Sequence, residues 1–448
     1  MATILELFSA QVPRYTSYPT APHFNASVDG AVYRQWLSRL DPKKPLSLYL
    51  HIPFCDTLCW FCGCHTSVVN NYAPVRDYCR LIAREIELVS RALPARMPVT
   101  HIHWGGGSPT LLNADDIKRL DETIRAHFDV AKNAEFAIEA DPRGLTQATV
   151  DALAQAGLTR ASIGVQDCNP AVQRAINRLQ ADEETIDAID MFRGAGVTSL
   201  NLDLLYGLPK QSLDTWQETL DFTCWLNPDR IAVFGYAHVP HFKKHQNLIL
   251  TQDLPDVETR FQMAEMARQR LTAQGYVAIG LDHYARPGDS LAQALQAGTL
   301  VRNFQGYTAD QAQTLIGLGA SSIGSLPDGY VQNIAAVPAY RAALAEDKLP
   351  VARGFALSEA DRVRRDVIQQ LMCNMRADLG EIATQHRQNP EIFADAMDRL
   401  APLSRNGVVT IEDGKVAVPQ EWACAVRLAA SAFDQYLPVG SAIHSASI

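Results

Sequence analysis

From about residue 45 to residue 280 the chain alternates short β-rich runs with longer stretches of helical period. The runs predict strands at 47–51, 101–104, 135–140, 161–165, 199–204, 230–234 and 276–280. Most read as near-continuous apolar segments, the pattern of strands covered on both faces. Between them, amphipathic periodicity predicts helices at 78–90, 116–127, 147–156 and 212–225. This is βα repetition, which implies parallel strands. Six or seven such units favour a barrel or partial barrel over an open doubly wound sheet, and barrels carry their chemistry at the C-terminal strand ends.

After Pro350 the pattern changes. A helix is expected at 358–372, with Val363, Val367, Ile368 and Leu371 on one face, followed by helical stretches at 379–386 and 390–400. Residues 408–411 and 415–418 flank Glu412-Asp413-Gly414, and the Asp-Gly pair signals a hairpin. Helices followed by a hairpin predict a small, mainly helical, winged-helix-like domain. At the other end, Pro13, Pro19 and Pro22 around Tyr15 and Tyr18 read as an irregular extension. The expected division is therefore 1–40 as an N-terminal extension, 41–345 as an α/β catalytic barrel and 346–448 as the tail domain.

Composition narrows the class. A net charge of −9 without a basic block argues against nucleic acid or an anionic membrane as partner. No apolar run approaches the roughly 20 residues that span a bilayer, and the first residues lack a secretory signal pattern, so the expected location is the cytoplasm. Nine cysteines are present, four of them between positions 55 and 64. An odd count with one tight cluster points to a metal or to catalysis rather than to disulfides.

That cluster is His51-Ile-Pro-Phe-Cys55-Asp-Thr-Leu-Cys59-Trp-Phe-Cys62-Gly-Cys64, directly after the first expected strand. A structural zinc site would show a second, separated pair of ligands. Three thiolates on one loop suit instead a [4Fe–4S] cluster with one iron left open. Cys62 and Cys64 are too close for both to be comfortable ligands on one short loop. Trp60 and Phe61 supply an apolar screen among the thiolates, or simply pack the loop.

The C-x3-C-x2-C spacing resembles the radical S-adenosylmethionine (SAM) superfamily over roughly 45–280. Further segments follow in order: Pro13-Arg-Tyr-Thr-Ser-Tyr-Pro19, Trp104-Gly-Gly-Gly-Ser-Pro-Thr110, Gly164-Val-Gln-Asp167, Asn201-Leu-Asp203 to Tyr206-Gly-Leu-Pro-Lys210, Tyr236-Ala-His238, Arg302-Asn-Phe-Gln-Gly-Tyr307 and Arg364-Arg-Asp-Val-Ile368. Together they make the whole chain similar to the oxygen-independent coproporphyrinogen III oxidases. Cys168 departs slightly from that pattern, where an aromatic is more usual.

The resemblance implies a partial (β/α)6 radical SAM barrel and conversion of two propionates of coproporphyrinogen III to vinyls, giving protoporphyrinogen IX for haem synthesis. It implies Cys55, Cys59 and Cys62 as cluster ligands, and Cys64, Phe304 and Gln305 as residues required for activity. It assigns Tyr49, Gly106, Gly107, Glu139 and Ile323 to a first SAM. Phe61, Gly107, Ser108, Gln166, Arg178, Asp203 and Ala237 fall to a second. A low-potential donor such as flavodoxin or ferredoxin, a monomeric state, and Arg14, Arg286 and Arg302 as candidates for holding substrate carboxylates complete the expectation. Alternatives within the superfamily are a haem chaperone or another tetrapyrrole-modifying enzyme. Chaperone-type relatives lack both the Cys-Gly-Cys ending and the Pro13–Pro19 segment.

Overall fold

The computed structural model describes residues 12–437. Its centre is a twelve-stranded sheet. In chain order the strands are β1 (Leu46–Ile52), β2 (Pro98–Gly106), β3 (Asp129–Ala140), β4 (Arg160–Gln166), β5 (Ser199–Tyr206), β6 (Arg230–Gly235), β7 (Val277–Ile279) and β8 (His283–Ala285). They continue with β9 (Thr314–Leu318), β10 (Ile323–Leu326), β11 (Gly329–Asn333) and β12 (Val351–Ala356). The spatial order is β12-β11-β10-β9-β1-β2-β3-β4-β5-β6-β8-β7. β1 to β6 run parallel in sequence order, and β9 adds a parallel neighbour on the other side of β1. The remaining pairs are antiparallel, and among the described residues the two edges, β7 and β12, do not meet.

The six expected parallel strands are present. The seventh, at 276–280, is instead the outer half of a short antiparallel hairpin with β8. The strands are also not apolar on both faces. Leu48, Leu50 and Ile52 of β1 pack outward with Ile82 and Ile86 of the helix Ala73–Ala92, as do Ile102 and Trp104 of β2 and Phe136 and Ile138 of β3. Fully burying such a side chain stabilises by about 1.5–3 kcal/mol. The alternate positions Ser47, His101, His103, Glu135, Glu139, Arg160, Ser162, Asn201 and Asp203 line a single cavity of about 170 Å³ inside the curve of the sheet. The period is therefore two, with the polar set inward, because that interior is a site and not a core.

Helices begin where their caps dictate. The Asn113 side chain accepts from the Asp116 amide at the start of Ala114–His127. Ser212 with Thr215, and Ser358 with Asp361, form reciprocal caps for Leu213–Leu226 and Glu359–Asn374. In the tail, Thr410–Glu412 and Lys415–Ala417 pair antiparallel with Arg376–Asp378 alongside. Asp413 and Gly414 both have positive φ, as a two-residue hairpin turn requires.

The first described residues divide between two cores. Val12, Tyr15 and Tyr18 are buried with Val363, Val367 and Leu371 of the tail, whereas Tyr33, Trp36 and Leu37 of the helix Gly30–Ser38 belong to the core around the main sheet. Among the described residues, no helix is long and apolar enough to cross a membrane.

Candidate active site

The cysteine loop leaves the C-terminal end of β1 and is tied back at both ends. Phe54–Cys55 pairs with Ser67–Val68, and the amides of Gly107 and Ser108 donate to the carbonyls of Ile52 (2.8 Å) and Phe54 (2.7 Å). A Cβ on Gly107 would lie 2.5 Å from the Phe54 carbonyl oxygen, so only bare backbone fits. Gly106 has φ +116° and faces the His51 ring. On its other side the loop is held through its carbonyls. Lys243 donates to Cys64 O (2.9 Å), Gln246 donates to Phe61 O (3.0 Å), and His245 Nε2 lies 2.7 Å from Cys62 O. Trp60 and Phe61 pack on the cluster of Val172, Ile176, Leu208 and Tyr236.

Each thiol has its own surroundings. Cys55 Sγ meets Thr66 Oγ1 at 3.1 Å, and burial pushes its thiol up to about 11. Arg143 and Arg178 both donate to Cys59 Sγ at 3.6 Å, giving that sulfur two cationic neighbours. Bonds from the side chain and amide of Cys64 lower Cys62 to about 7 against its burial, and the same contact pushes Cys64 well up. Cys62 is thus the readier thiolate of that pair. Among the described residues no three such side chains are already gathered in metal-ligand geometry. The donor set still fits an iron–sulfur cluster: three thiols on one eight-residue turn, two guanidinium groups beside one sulfur, and glycine backbone opposite.

The strand ends bring the other expected residues together. Tyr49 Oη lies 2.9 Å from His51 Nδ1, and its ring stacks on His103 at 5.8 Å. His103 Nε2 is 3.5 Å from Glu139 Oε1, and the Gly106 amide donates to Glu139 Oε2 at 2.9 Å. Burial alone would raise Glu139, but His103, the Gly106 amide and nearby His51 hold it below the usual carboxylate range. Asp203 accepts from Ser162 and Asn201, both at 2.8 Å, and burial still raises it. Gln166 has φ +68° at a bulge ending β4, a strained backbone of the kind that collects at functional sites. Arg178 is buried; it donates to Asp141 Oδ2 (3.0 Å) and Gly164 O (2.6 Å), and its Nε has no partner among the described residues. Ala237 lies two residues beyond β6, its carbonyl 3.2 Å from Gln246 Nε2.

Phe304 and Gln305 are the two turn residues of a hairpin, Val301–Asn303 with Gly306–Thr308, that no sequence signal marked. They face opposite ways. Phe304 packs edge-on against Tyr330 at 6.0 Å in a group that includes Ile323, while Gln305 lines the cavity with His103, Glu139 and Asp203. Gln305 Nε2 is buried with no hydrogen-bond partner among the described residues, a donor aimed at whatever fills the cavity. Of the arginines, Arg14 donates to Gly235 O at the C-terminal end of β6, and Arg302 donates to Arg14 O. Arg286 is different: its amide bonds Asp229 O and its guanidinium stacks 3.8 Å from the Tyr276 ring, at the opposite end of the strands from the cysteine loop. The expectation that it faces substrate is corrected by that position.

Several residues of the site escaped the sequence. His103, Asp141, Arg143, Lys243, His245 and Gln246 are ordinary in type and spacing. Only Asp141-Pro-Arg143, next to Glu139, offered a local signal.

Comparison with known proteins agrees with this geometry. Residues 49–223 match the family model of the radical SAM superfamily. The chain is 46% identical over 438 residues to the oxygen-independent coproporphyrinogen III oxidase of Bradyrhizobium diazoefficiens, covering 98% of this chain and 97% of that one. It is 42% identical over 444 residues to that of Paracoccus denitrificans, covering 99% and 98%. The solved structure of coproporphyrinogen III oxidase from Escherichia coli, described as a radical SAM enzyme, superimposes with a TM-score of 0.90 at 38% identity, covering 96% of this chain and all of that one. The chain therefore belongs to the radical SAM family of oxygen-independent coproporphyrinogen III oxidases.

Proposed function

We propose that this protein converts two propionates of coproporphyrinogen III to vinyls without oxygen, giving protoporphyrinogen IX in cytoplasmic haem synthesis. The observation that carries the reading is the cysteine loop on the C-terminal end of β1, backed by Gly106 and Gly107, in a chain alike to named oxidases over almost its whole length. Cys55, Cys59 and Cys62 would hold the [4Fe–4S] cluster. When bound, the cluster and SAM would supply hydrogen-atom abstraction by way of a 5′-deoxyadenosyl radical, the chemistry needed for a propionate β-hydrogen too weakly acidic for any side chain to remove.

The chain's own residues bind, orient and exclude water. Tyr49, Gly106, Gly107, Glu139 and Ile323 form the first SAM site, with Glu139 kept ionised to accept hydrogen bonds from ribose or ammonium. Phe61, Gly107, Ser108, Gln166, Arg178, Asp203 and Ala237 form a second. Cys64, Phe304 and Gln305 act at the substrate, where the unpaired Gln305 amide has a ligand atom to meet. We assign 1–40 to covering the site, 41–345 to catalysis and 346–448 to a winged-helix-like domain. The electron comes from a flavodoxin- or ferredoxin-like donor, and the working unit is a monomer.

Anaerobic assay with coproporphyrinogen III, SAM and dithionite tests the reading. Vinyl product and transfer of β-deuterium into 5′-deoxyadenosine are expected, and vinyl product without label in 5′-deoxyadenosine would overturn it. Cys59→Ala should lose about four irons per chain, while Cys64→Ala keeps them and loses turnover.

A further inference from the structure

At the C-terminal end of β6, three consecutive backbone carbonyls are each taken by a side chain from a different segment. Arg14 Nη2, from the first described residues, donates to Gly235 O at 2.8 Å. Arg260 Nη2, from the helix Val257–Ala273, donates to Tyr236 O at 2.9 Å. Gln246 Nε2 takes Ala237 O at 3.2 Å. Two guanidinium groups thus converge on neighbouring residues. Phe234, just before Gly235, lines the cavity that Gln305 enters, so the pair stands at the rim of that cavity. The Arg14 carbonyl also accepts from Arg302, in the hairpin that carries Phe304 and Gln305.

Among the described residues neither Arg14 nor Arg260 pairs with a carboxylate; each rests on one carbonyl, which leaves donors over. Asp282, whose charge reaches Arg14, is already taken, 2.6 Å from His283 Nδ1 and 3.9 Å from Arg302 Nη1. Arg14 is exposed between buried Pro13 and Tyr15, and Arg260 is half-buried. Burial nonetheless lowers both guanidinium groups from their ordinary values, and the Arg14 charge lowers Arg260 further. Open side chains walled by protein line a recess, and two like charges in a recess call for an anion. Space is kept around Arg260: a Cβ on Gly207 would lie 2.9 Å from its Nη1, and one on Gly235 would lie 3.4 Å from its Nη2. The Tyr206 ring backs it at 6.0 Å.

We propose that Arg260, with Arg14, grips the carboxylate of a propionate that the reaction leaves in place. The inference rests on the coproporphyrinogen III reading and deepens it by choosing among the substrate's propionates. Four carboxylates enter and two remain. A reacting carboxylate must give up its negative charge as CO2 departs, and two guanidinium donors would hold that charge and oppose the step. A retained propionate loses nothing by being held, and the planar fork of Arg fixes the orientation of the macrocycle. No sequence motif marks Arg260. Arg14 comes from the covering segment, which therefore carries a recognition group as well.

The test uses the cluster-loaded enzyme and the variants Arg260→Gln, Arg260→Lys and Arg14→Gln, with Arg286→Gln as a remote loss of one positive charge. Arg260→Gln and Arg14→Gln should each raise KM for coproporphyrinogen III about tenfold or more, with kcat within about threefold of wild type. Arg260→Lys should fall between, and Arg286→Gln should match wild type. Fluorescence titration with coproporphyrin III, the oxidised and unreactive macrocycle, should show the same loss. Its tetraamide, alike in shape but without carboxylates, should bind wild type and both Gln variants equally. Equal weakening toward the macrocycle and its tetraamide would overturn the proposal, because it would mark a merely structural role. A fall in kcat at unchanged KM would overturn it too, by placing the pair on a reacting carboxylate. So would weaker SAM binding in equilibrium dialysis with coproporphyrin III binding intact, which would give the pair to the SAM carboxylate. If Arg260→Gln loses its iron, the same outcomes are read from Arg14→Gln. If wild type binds coproporphyrin III and forms no vinyl product, the functional reading fails, and the titration still decides the role of the pair.

Discussion

Gly107 and Glu85 show how single positions answer to their surroundings. Gly107 has ordinary backbone angles, so its constraint is space: an added methyl meets the Phe54 carbonyl and amide and Thr66 Oγ1 at 2.5–2.8 Å. Backbone cannot yield cheaply, so Gly107→Ala should cost about 1–3 kcal/mol in urea unfolding and loosen SAM binding. Full stability with unchanged SAM affinity would contradict the close packing. Glu85 is a fully buried carboxyl accepting from Tyr340 and Asn333, both at 2.5 Å, and from the Gly319 amide at 2.6 Å. Burial outweighs these donors and raises it from 4.5 to about 7. The folded state thus holds this proton more tightly than the unfolded chain, so the contribution to stability is full below about pH 4.5 and is lost as pH rises toward 7. Glu85→Gln removes that titration. Its unfolding midpoint, measured against wild type from pH 4.5 to pH 7, should fall less steeply, and parallel curves would refute the assignment.

Elements were the most legible level. Six parallel strands and the main helices lie where the periodicity predicts, because each helix buries one apolar face and each strand must reach the same sheet. The tail hairpin was legible from two residues alone, since Asp-Gly readily supplies the two positive φ angles the turn needs. A Cβ on Gly414 would touch nothing within 4 Å, so Gly414→Ala tests backbone strain alone and should cost about 1 kcal/mol in the urea midpoint. No loss at all would mean the turn relaxes to another type. Strands β9 to β12 and the Phe304–Gln305 hairpin were not read. They are short and lack a clear period of two, and of their pairings only that of β9 with β1 reaches far along the chain.

Across the whole molecule the first and last described segments meet. Tyr15 and Tyr18 sit in the tail core, Tyr15 donates to Asp434 at 3.1 Å, and Arg427 donates to the carbonyls of Val12 and Pro13. Arg14, between them, reaches Gly235 at the mouth of the sheet. Tyr15→Ala should therefore lower stability in urea unfolding by about 3–5 kcal/mol, although its hydrogen-bond partner Asp434 and the tail core are remote in sequence. Deleting residues 1–22 should abolish vinyl formation, keep the iron content, and lower the melting temperature through the opened tail core. Unchanged melting would show that the tail core does not depend on this segment.

What the sequence determined by itself was the local chemistry: three thiols at a fixed spacing on one loop, a run of glycines at 105–107, and the βα period that brings strand ends to one face. Those features depend on neighbours along the chain, where residue type and spacing suffice. What only the tertiary structure decided was which ordinary residues complete the site. Arg143 and Arg178 flank Cys59, His103 holds Glu139, Gln305 turns inward while Phe304 turns away, and Arg286 lies at the far end. Each of these depends on packing between segments distant in sequence, and a common residue type carries no mark of the partner it will meet.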